Sequence, residues 1–295
     1  MLQIIEREHI DLDKWNALVS STARNSCFSL SVYLDAVAEN WCIVSNDNYS
    51  CGIAVPYSKR LGIKCFTTPI FVRYLEWFGH QDNWVTAKEI IEQHFSGGSM
   101  QVPKILLNDT NLRYYQTIEV DRKLSTQAKR MLSKSKHLTI EEAHNSEYNA
   151  VLDIISSELP GKISTLNKNN IAVLKNLVKC LSNQNIVKSL VIRNGNELVA
   201  GIILIEFNGV LLYLKGASFE EYKKLGAMYA LMNRAIEYAQ ENKLVFDFGG
   251  SSAEGVRRFN LNLGGTDNEY GIFLSDTAPI WFKELKRIKK LWIKK

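Results

Sequence analysis

The sequence predicts an α+β fold (α/β in mixture) of two tandem domains, each a mostly antiparallel mixed sheet flanked by helices. Three observations predict it. Three apolar stretches between residues 186 and 217 are joined by Asn194-Gly195 and Asn208-Gly209, the strongest short hairpin signal a sequence offers. A long helical pattern then passes through Asn242 and Lys243 into the apolar run LVFDF, which reads as a right-handed parallel crossover. The same order of elements, without evident identity, occupies the first 120 residues.

The bulk numbers allow such a fold. The chain has 295 residues, 46% hydrophobic and 23% charged, enough to bury a full core. Its net charge of +5 permits an anionic ligand such as a CoA, a nucleotide sugar or a tRNA without requiring one. The opening MLQIIEREHIDLDKW has too short an apolar run for a signal peptide. The central run LVAGIILIEF is about half of what a membrane span needs. A cytoplasmic protein is expected. Five cysteines without CxxC spacing read as reduced, packed thiols, and five scattered histidines give no metal-ligand spacing.

In the first half, Asp11 is placed to cap a helix carrying Trp15, Leu18 and Val19. A second helix is expected over 29–40, burying Tyr33, Leu34 and Val37. Strands follow in WCIVSN, YSCGIAVPYSK and LGIKCFTT, with Pro56 marking an edge or bulge. The aromatic loop with Tyr74, Trp77 and Phe78, together with Trp84, reads either as a cleft wall or as plain apolar packing. WVTAKEIIEQHF is an amphipathic helix ended by SGGS, and strands are expected at 105–107 and 115–120. Residues 122–143 form a basic stretch with Arg122, Lys123, Lys129, Arg130, Lys134 and Lys136, a solvated helix or an anion-facing rim.

In the second half, helices are expected over 147–159 and 169–181, divided by Pro160-Gly161. The meander follows, then one long helix over 219–242 with Leu225, Met228, Met232, Ala235 and Ala239 on one face. The domains are placed at 1–120 and 121–295.

Two segments carry chemistry. Lys223-Lys224-Leu225-Gly226-Ala227-Met228 stands where backbone N–H groups at a helix N-terminus can hold phosphate; Gly226 is equally a close-packing glycine. The loop FDFGGSSAEGVRRFNLNLGG, residues 246–265, follows a buried strand and combines five glycines with Asp247, Ser251, Ser252, Glu254, Arg257 and Arg258. Gly-rich loops at strand carboxyl ends favour ligands. A tight turn with Ser251 or Ser252 as helix cap is the competing reading. For acyl transfer to an amine, Asp247 and Glu254 are candidate bases. The amides of Gly249, Gly250, Ser251 and Ser252, with Arg257 or Arg258, are candidate oxyanion donors. Tyr213 and Lys215 end the strand before the long helix and are candidate donor-binding residues with Lys223 and Gly226.

A meander running into one βαβ unit resembles the GNAT acyltransferase fold. Lys223 and Gly226 resemble its Arg/Gln-x-x-Gly-x-Gly/Ala phosphate loop, with Met228 at the final small position. FDFGGSS, Gly255-Val256, an aromatic and Leu263-Gly264-Gly265, with Val199-Ala200-Gly201 and Lys215-Gly216-Ala217-Ser218, resemble the FemAB-like and Fem peptidoglycan-bridge aminoacyltransferases. The resemblance implies direct transfer of an acyl or aminoacyl group to an amine, from an acyl-CoA co-substrate or an aminoacyl-tRNA, with no tightly bound cofactor. It implies an acceptor such as an amino sugar or cell-envelope precursor. Where Fem sequences have Phe-Lys, this chain has Phe259-Asn260. The alternative is a non-catalytic double-GNAT protein that binds a ligand or partner. The basic C-terminal helix, with Leu285, Ile288, Leu291 and Trp292 on one face, reads as docked on the domain or as a peripheral membrane contact.

Overall fold

The computed structural model describes residues 1–21, 27–107, 111–119, 122–159, 167–250 and 253–284. In chain order its elements are β1 (Gln3–Glu6), α1 (Leu12–Ser20), α2 (Ser31–Val37), β2 (Asn40–Ser45), β3 (Gly52–Arg60), β4 (Ile63–Thr67), α3 (Asp82–His94), β5 (Gly98–Pro103), β6 (Arg113–Ile118), α4 (Thr126–Lys134) and β7 (Ile140–Glu142). There follow α5 (Tyr148–Glu158), α6 (Lys168–Ser182), β8 (Val187–Asn194), β9 (Glu197–Phe207), β10 (Val210–Ser218), α7 (Glu220–Lys224), α8 (Ala227–Glu241), β11 (Val245–Asp247), α9 (Glu254–Asn262) and β12 (Thr266–Ser275). Ser251, Ser252, Pro160-Gly161 and the C-terminal helix from Leu285 onward lie outside the described residues.

The chain forms two compact units. The first comprises Met1–Val19, Ala38–Leu112 and Tyr270–Lys295; the second comprises Ser20–Val37 and Arg113–Glu269.

In the first unit β1, β2, β3 and β4 pair antiparallel in succession, β4 pairs parallel with β5, and β5 pairs antiparallel with the Tyr270–Ser275 part of β12. A meander therefore runs through crossover helix α3 into a parallel strand. Asp11 caps α1 as expected, accepting from the Lys14 N–H at 3.2 Å. Pro56 sits opposite Trp41, and β4 begins to pair with β3 only at Tyr57, so the missing proline N–H costs no ladder bond. The last strand before the changeover is Gly98–Pro103, and the 105–107 strand expectation is replaced by a 3₁₀ turn at Lys104–Leu106. The SGGS run hid the strand start. At Gly98 a Cβ would stand 2.1 Å from the Phe66 carbonyl oxygen, so the second glycine belongs to the strand and not only to the helix end. Tyr74, Trp77, Phe78 and Trp84 are buried. Trp84 packs on Phe273 and Trp77, and Phe78 meets Trp15 edge-on at 5.8 Å, so these rings form this unit's core.

In the second unit β7, β8, β9 and β10 pair antiparallel, β10 pairs parallel with β11, and β11 pairs antiparallel with β6. Helix α8 makes the crossover. The second hairpin turns on Asn208-Gly209, both at positive φ. The first pairs Asn194 with Glu197, so its turn is centred on Gly195-Asn196, one residue later than Asn194-Gly195. The expected single helix over 219–242 breaks at Gly226, whose φ of 91° is left-handed. Leu225 is accordingly exposed and not part of the buried face. On one face of the sheet, Ala200, Ile202, Leu204 and Leu211 pack with Leu231, Ala235, Ile236 and Ala239 of α8 and with Phe246 and Phe248. On the other, α5 lies so close to β9 that a Cβ on Gly201 would be 2.8 Å from the Val151 side chain.

Candidate functional site

The parallel pairing of β10 with β11 is short. Val210, Leu211 and Leu212 lie opposite Val245, Phe246 and Asp247. β11 ends there, while β10 runs on to Ser218. Among the described residues no strand pairs with Tyr213–Ser218 on that side. The parting opens a groove between the two strands, and its β10 edge carries no strand partner among the described residues.

β10 is bulged at the same point. Tyr213 lies opposite Leu204, but Lys215 lies opposite Ile203, so Leu214 is the extra residue. A bulge re-aims side chains. Leu204 belongs to the core under α8, and Tyr213 packs against that core. Ile203 shares its face with Gly201, two residues away along the strand, and that face is covered by α5. Tyr213 and Lys215 therefore point to opposite sides of the sheet and do not form one donor-binding pair. The Tyr213 hydroxyl reaches back to the Gly216 carbonyl at 3.5 Å, and burial pushes its phenol pKa up. Lys215 is partly buried, has no hydrogen-bond or ion-pair partner among the described residues, and has its pKa lowered by burial alone.

Two glycines follow β11 directly. Gly249 and Gly250 have φ of 80° and 83°. A Cβ on Gly249 would stand 2.3 Å from the Tyr213 carbonyl oxygen, so only glycine lets the loop rest on β10 there. Asp247 is 1% exposed, and its Oδ1 accepts the Gly249 N–H at 2.8 Å. The candidate base thus builds the turn, the local bond that Asp side chains commonly make.

Helix α9 carries the remaining candidates on different sides. Glu254 and Arg258 face solvent and pair weakly with each other at 3.8 Å. Arg257 is engaged elsewhere. Its Nε donates to Asp267 Oδ1 at 3.1 Å and its Nη2 donates to Oδ2. The Arg257 hydrogen bond holds the Asp267 carboxyl below its usual range and raises the guanidinium in turn. Asp267 Oδ1 also accepts from Gln116 Nε2 at 2.7 Å, and Gln116 Oε1 accepts from Asn260 Nδ2 at 2.8 Å. Gln116 and Asn260 are fully buried. Asn260 is therefore the inner end of an amide–carboxylate–guanidinium chain that ties α9 to β6 and β12. A lysine there would bury a charge beside an amide.

At the head of α8 a Cβ on Gly226 would be 2.5 Å from the Met131 carbonyl oxygen, so this glycine admits the end of α4. Met228 is half-buried against the core. Lys223 is exposed and 3.8 Å from Glu220. The first-turn amides of α8 still point along the helix axis, where an anion is favoured.

Sequence reading missed Gln116, Asp267 and Leu214. Gln116 acts through pairings across 144 and 151 positions of chain, Asp267 joins that long-range pair to Arg257 ten residues away, and nothing local announces a bulge at Leu214. A separate cavity of ≈ 210 Å³ lies against β7, β8 and the far half of α8, lined by Glu142, Lys188, Leu190, Arg234 and Tyr238, and includes none of the expected site residues. Among the described residues no helix is long and apolar enough to cross a membrane, and no group of three His, Cys, Asp or Glu side chains is placed to hold a metal.

Several solved structures share this fold. FemX has a TM-score of 0.65 at 11% identity, covering 93% of this chain and 98% of its own. The L-PGS structure from Bacillus licheniformis has a TM-score of 0.59 at 13% identity, covering 93% and 95%. A tandem GNAT protein from the clavulanic acid biosynthesis pathway has 0.54 at 8% identity, covering 95% and 99%. These likenesses establish a tandem GNAT fold. No curated protein matches the sequence. The model of the acetyltransferase (GNAT) domain matches residues 122–270, the stretch that holds the parted strands, the bulge and the double-glycine loop, and the chain belongs to that family.

Proposed function

We propose that this protein is an N-acyltransferase of the FemAB-like kind, which passes an acyl or aminoacyl group directly to an amine. The carrying observation is the parting of β10 from β11 at Leu212 and Asp247 together with the bulge at Leu214. The freed backbone groups of residues 214–218 can hydrogen-bond an extended amide-bearing donor, as an added strand would. The oxyanion is held by a backbone N–H of the double-glycine loop, that of Gly250 first, rather than by the Gly249 N–H, which Asp247 already takes, or by Arg257, which Asp267 holds. The first-turn amides of α8 take the donor's phosphates, while Gly226, its own N–H donating to the Lys223 carbonyl, sets the start of that helix. Residues 1–120 and 121–295 form, in the main, the two GNAT-like domains, each completed by a segment from the other half. The donor is an acyl-CoA or an aminoacyl-tRNA. The acceptor is an amine, with an amino sugar or cell-envelope precursor as the leading class, and the basic C-terminal segment brings the protein to an anionic surface.

The fixed positions of Asp247 and Arg257 favour a second reading, a double-GNAT protein that binds a donor-like ligand without catalysis. Calorimetric titration with acetyl-CoA, longer acyl-CoAs and charged tRNAs tests the shared premise. Binding by wild type and its loss in Leu214→Trp, which fills the groove at the bulge, is expected. Unchanged binding in that variant removes the groove from the account.

A further inference from the structure

Lys215 is the most unusual charge in the second unit. It sits immediately after the bulge, on the strand edge that β11 leaves open. The bulge turns it away from Tyr213 and the α8 core toward the face that α5 covers, among Ile203, Gly201 and Val151. These three are apolar, and Ser189, opposite Ile203 on β8, already donates to the Ile202 carbonyl. Other partly buried cations of this unit are answered: Arg193 by Glu141 and Glu147, Lys188 by Glu206, Arg122 by the Asn233 amide oxygen. Lys215 has no hydrogen bond or ion pair among the described residues, and no charged group contributes to its pKa. A cation withdrawn from water without an anion is costly. A bulge that spends ladder pairing to aim it there adds to that cost. Both are offset when an anion arrives.

We infer that Lys215 is a substrate-recognition residue that pairs with a carboxylate carried by one of the two reactants. The inference rests on the transferase reading of this groove, and it narrows the substrate class to molecules with a free carboxylate close to the reacting centre. The carboxylate comes either from the acceptor, as in an amino acid, or from the transferred acyl group, as in a dicarboxylic monoacyl donor. A lysine supplies a compact point charge suited to either. No covalent step is assigned to it. It positions the reactant by charge, and the desolvated surroundings strengthen that contact.

The test is read on the whole protein. Lysine acylation by acetic anhydride, followed by peptide mass spectrometry, gives the labelling rate of Lys215 beside those of exposed lysines such as Lys223. Acetate is expected to slow labelling of Lys215 with one-site saturation and to leave Lys223 unchanged, while acetamide protects neither. Absence of acetate protection overturns the inference. Glycine against glycinamide, and succinyl-CoA against acetyl-CoA, then show which reactant brings the carboxylate. Lys215→Met is expected to fold with a melting temperature at or above wild type, because it removes an unpaired buried charge. Its kcat/KM should fall about thirtyfold for the carboxylate-bearing reactant and stay within about twofold for the amide or unsubstituted counterpart. Lys215→Arg should recover part of the loss. A melting temperature well below wild type, with equal losses for both reactants, would make Lys215 a packing residue and overturn the inference. Acetate protection without turnover on any pair would uphold the anion site and remove the transferase reading. Turnover without protection would do the reverse.

Discussion

Asn260 shows how a residue acquires its role from partners far away in sequence. Its side-chain amide donates to buried Gln116, which donates to Asp267, which Arg257 clamps. Asn260→Ala leaves the Gln116 oxygen buried and unsatisfied, and is expected to lower unfolding free energy by about 1–3 kcal/mol in urea titration. The outer end of the chain gives a pH signature. Asp267 has its folded pKa lowered, chiefly by the Arg257 hydrogen bond. That contribution to stability is present above the ordinary aspartate range and is lost as pH falls through the depressed value. Arg257→Gln should therefore destabilise near neutral pH and flatten the loss of stability below about pH 4; a parallel downward shift at every pH would contradict the linkage. The glycine run and the charged residues of this loop were legible in the sequence. Which charge meets which was not. Asp247 and Asp267 look alike in a string, yet one builds a turn with Gly249 and the other holds a guanidinium.

The elements were read well where a local rule fixes them. Asn208-Gly209 and the 3.6-residue pattern of α8 announce themselves, and the parallel crossover follows from element order. The misreadings fall where tertiary packing overrides the local rule. The pattern over 219–242 runs through Gly226, but the Met131 carbonyl of α4 occupies the space that a helical side chain would need. The strand at Gly98–Pro103 was hidden because its first residue is a glycine required by contact with Phe66. The bulge in β10 has no sequence mark at all. Gly249 is where strand and loop depend on each other most closely, and Gly249→Ala combines a left-handed φ with a Cβ placed 2.3 Å from the Tyr213 carbonyl oxygen. It is expected to cost about 1–3 kcal/mol and to weaken acyl-CoA binding in the same calorimetric titration. Wild-type stability and affinity together would mean that the loop does not rest on β10.

At the scale of the molecule, the repeated order of elements reports two GNAT-like units, but their composition is not a simple cut. Ser20–Val37 belongs to the second unit and Tyr270–Lys295 to the first. Helix α2 packs on α6, so a fragment beginning at Arg113 bares an apolar helical face. Such a fragment is expected to be aggregation-prone, and one with residues 20–37 fused ahead of it to be soluble and cooperatively folded by thermal melt. Interleaving of this kind has no local signature, since each exchanged segment looks like an ordinary part of its own half. The central claim is transfer, and it is tested most directly by incubating the protein with radiolabelled acyl-CoAs or charged tRNAs and a panel of amines, with mass-spectrometric identification of product. The account predicts a labelled amide from at least one donor–acceptor pair, with no acylated enzyme trapped on quenching, because direct transfer passes through no acyl-enzyme intermediate. Label stably attached to the protein, or donor bound with no amide formed from any amine, would contradict it.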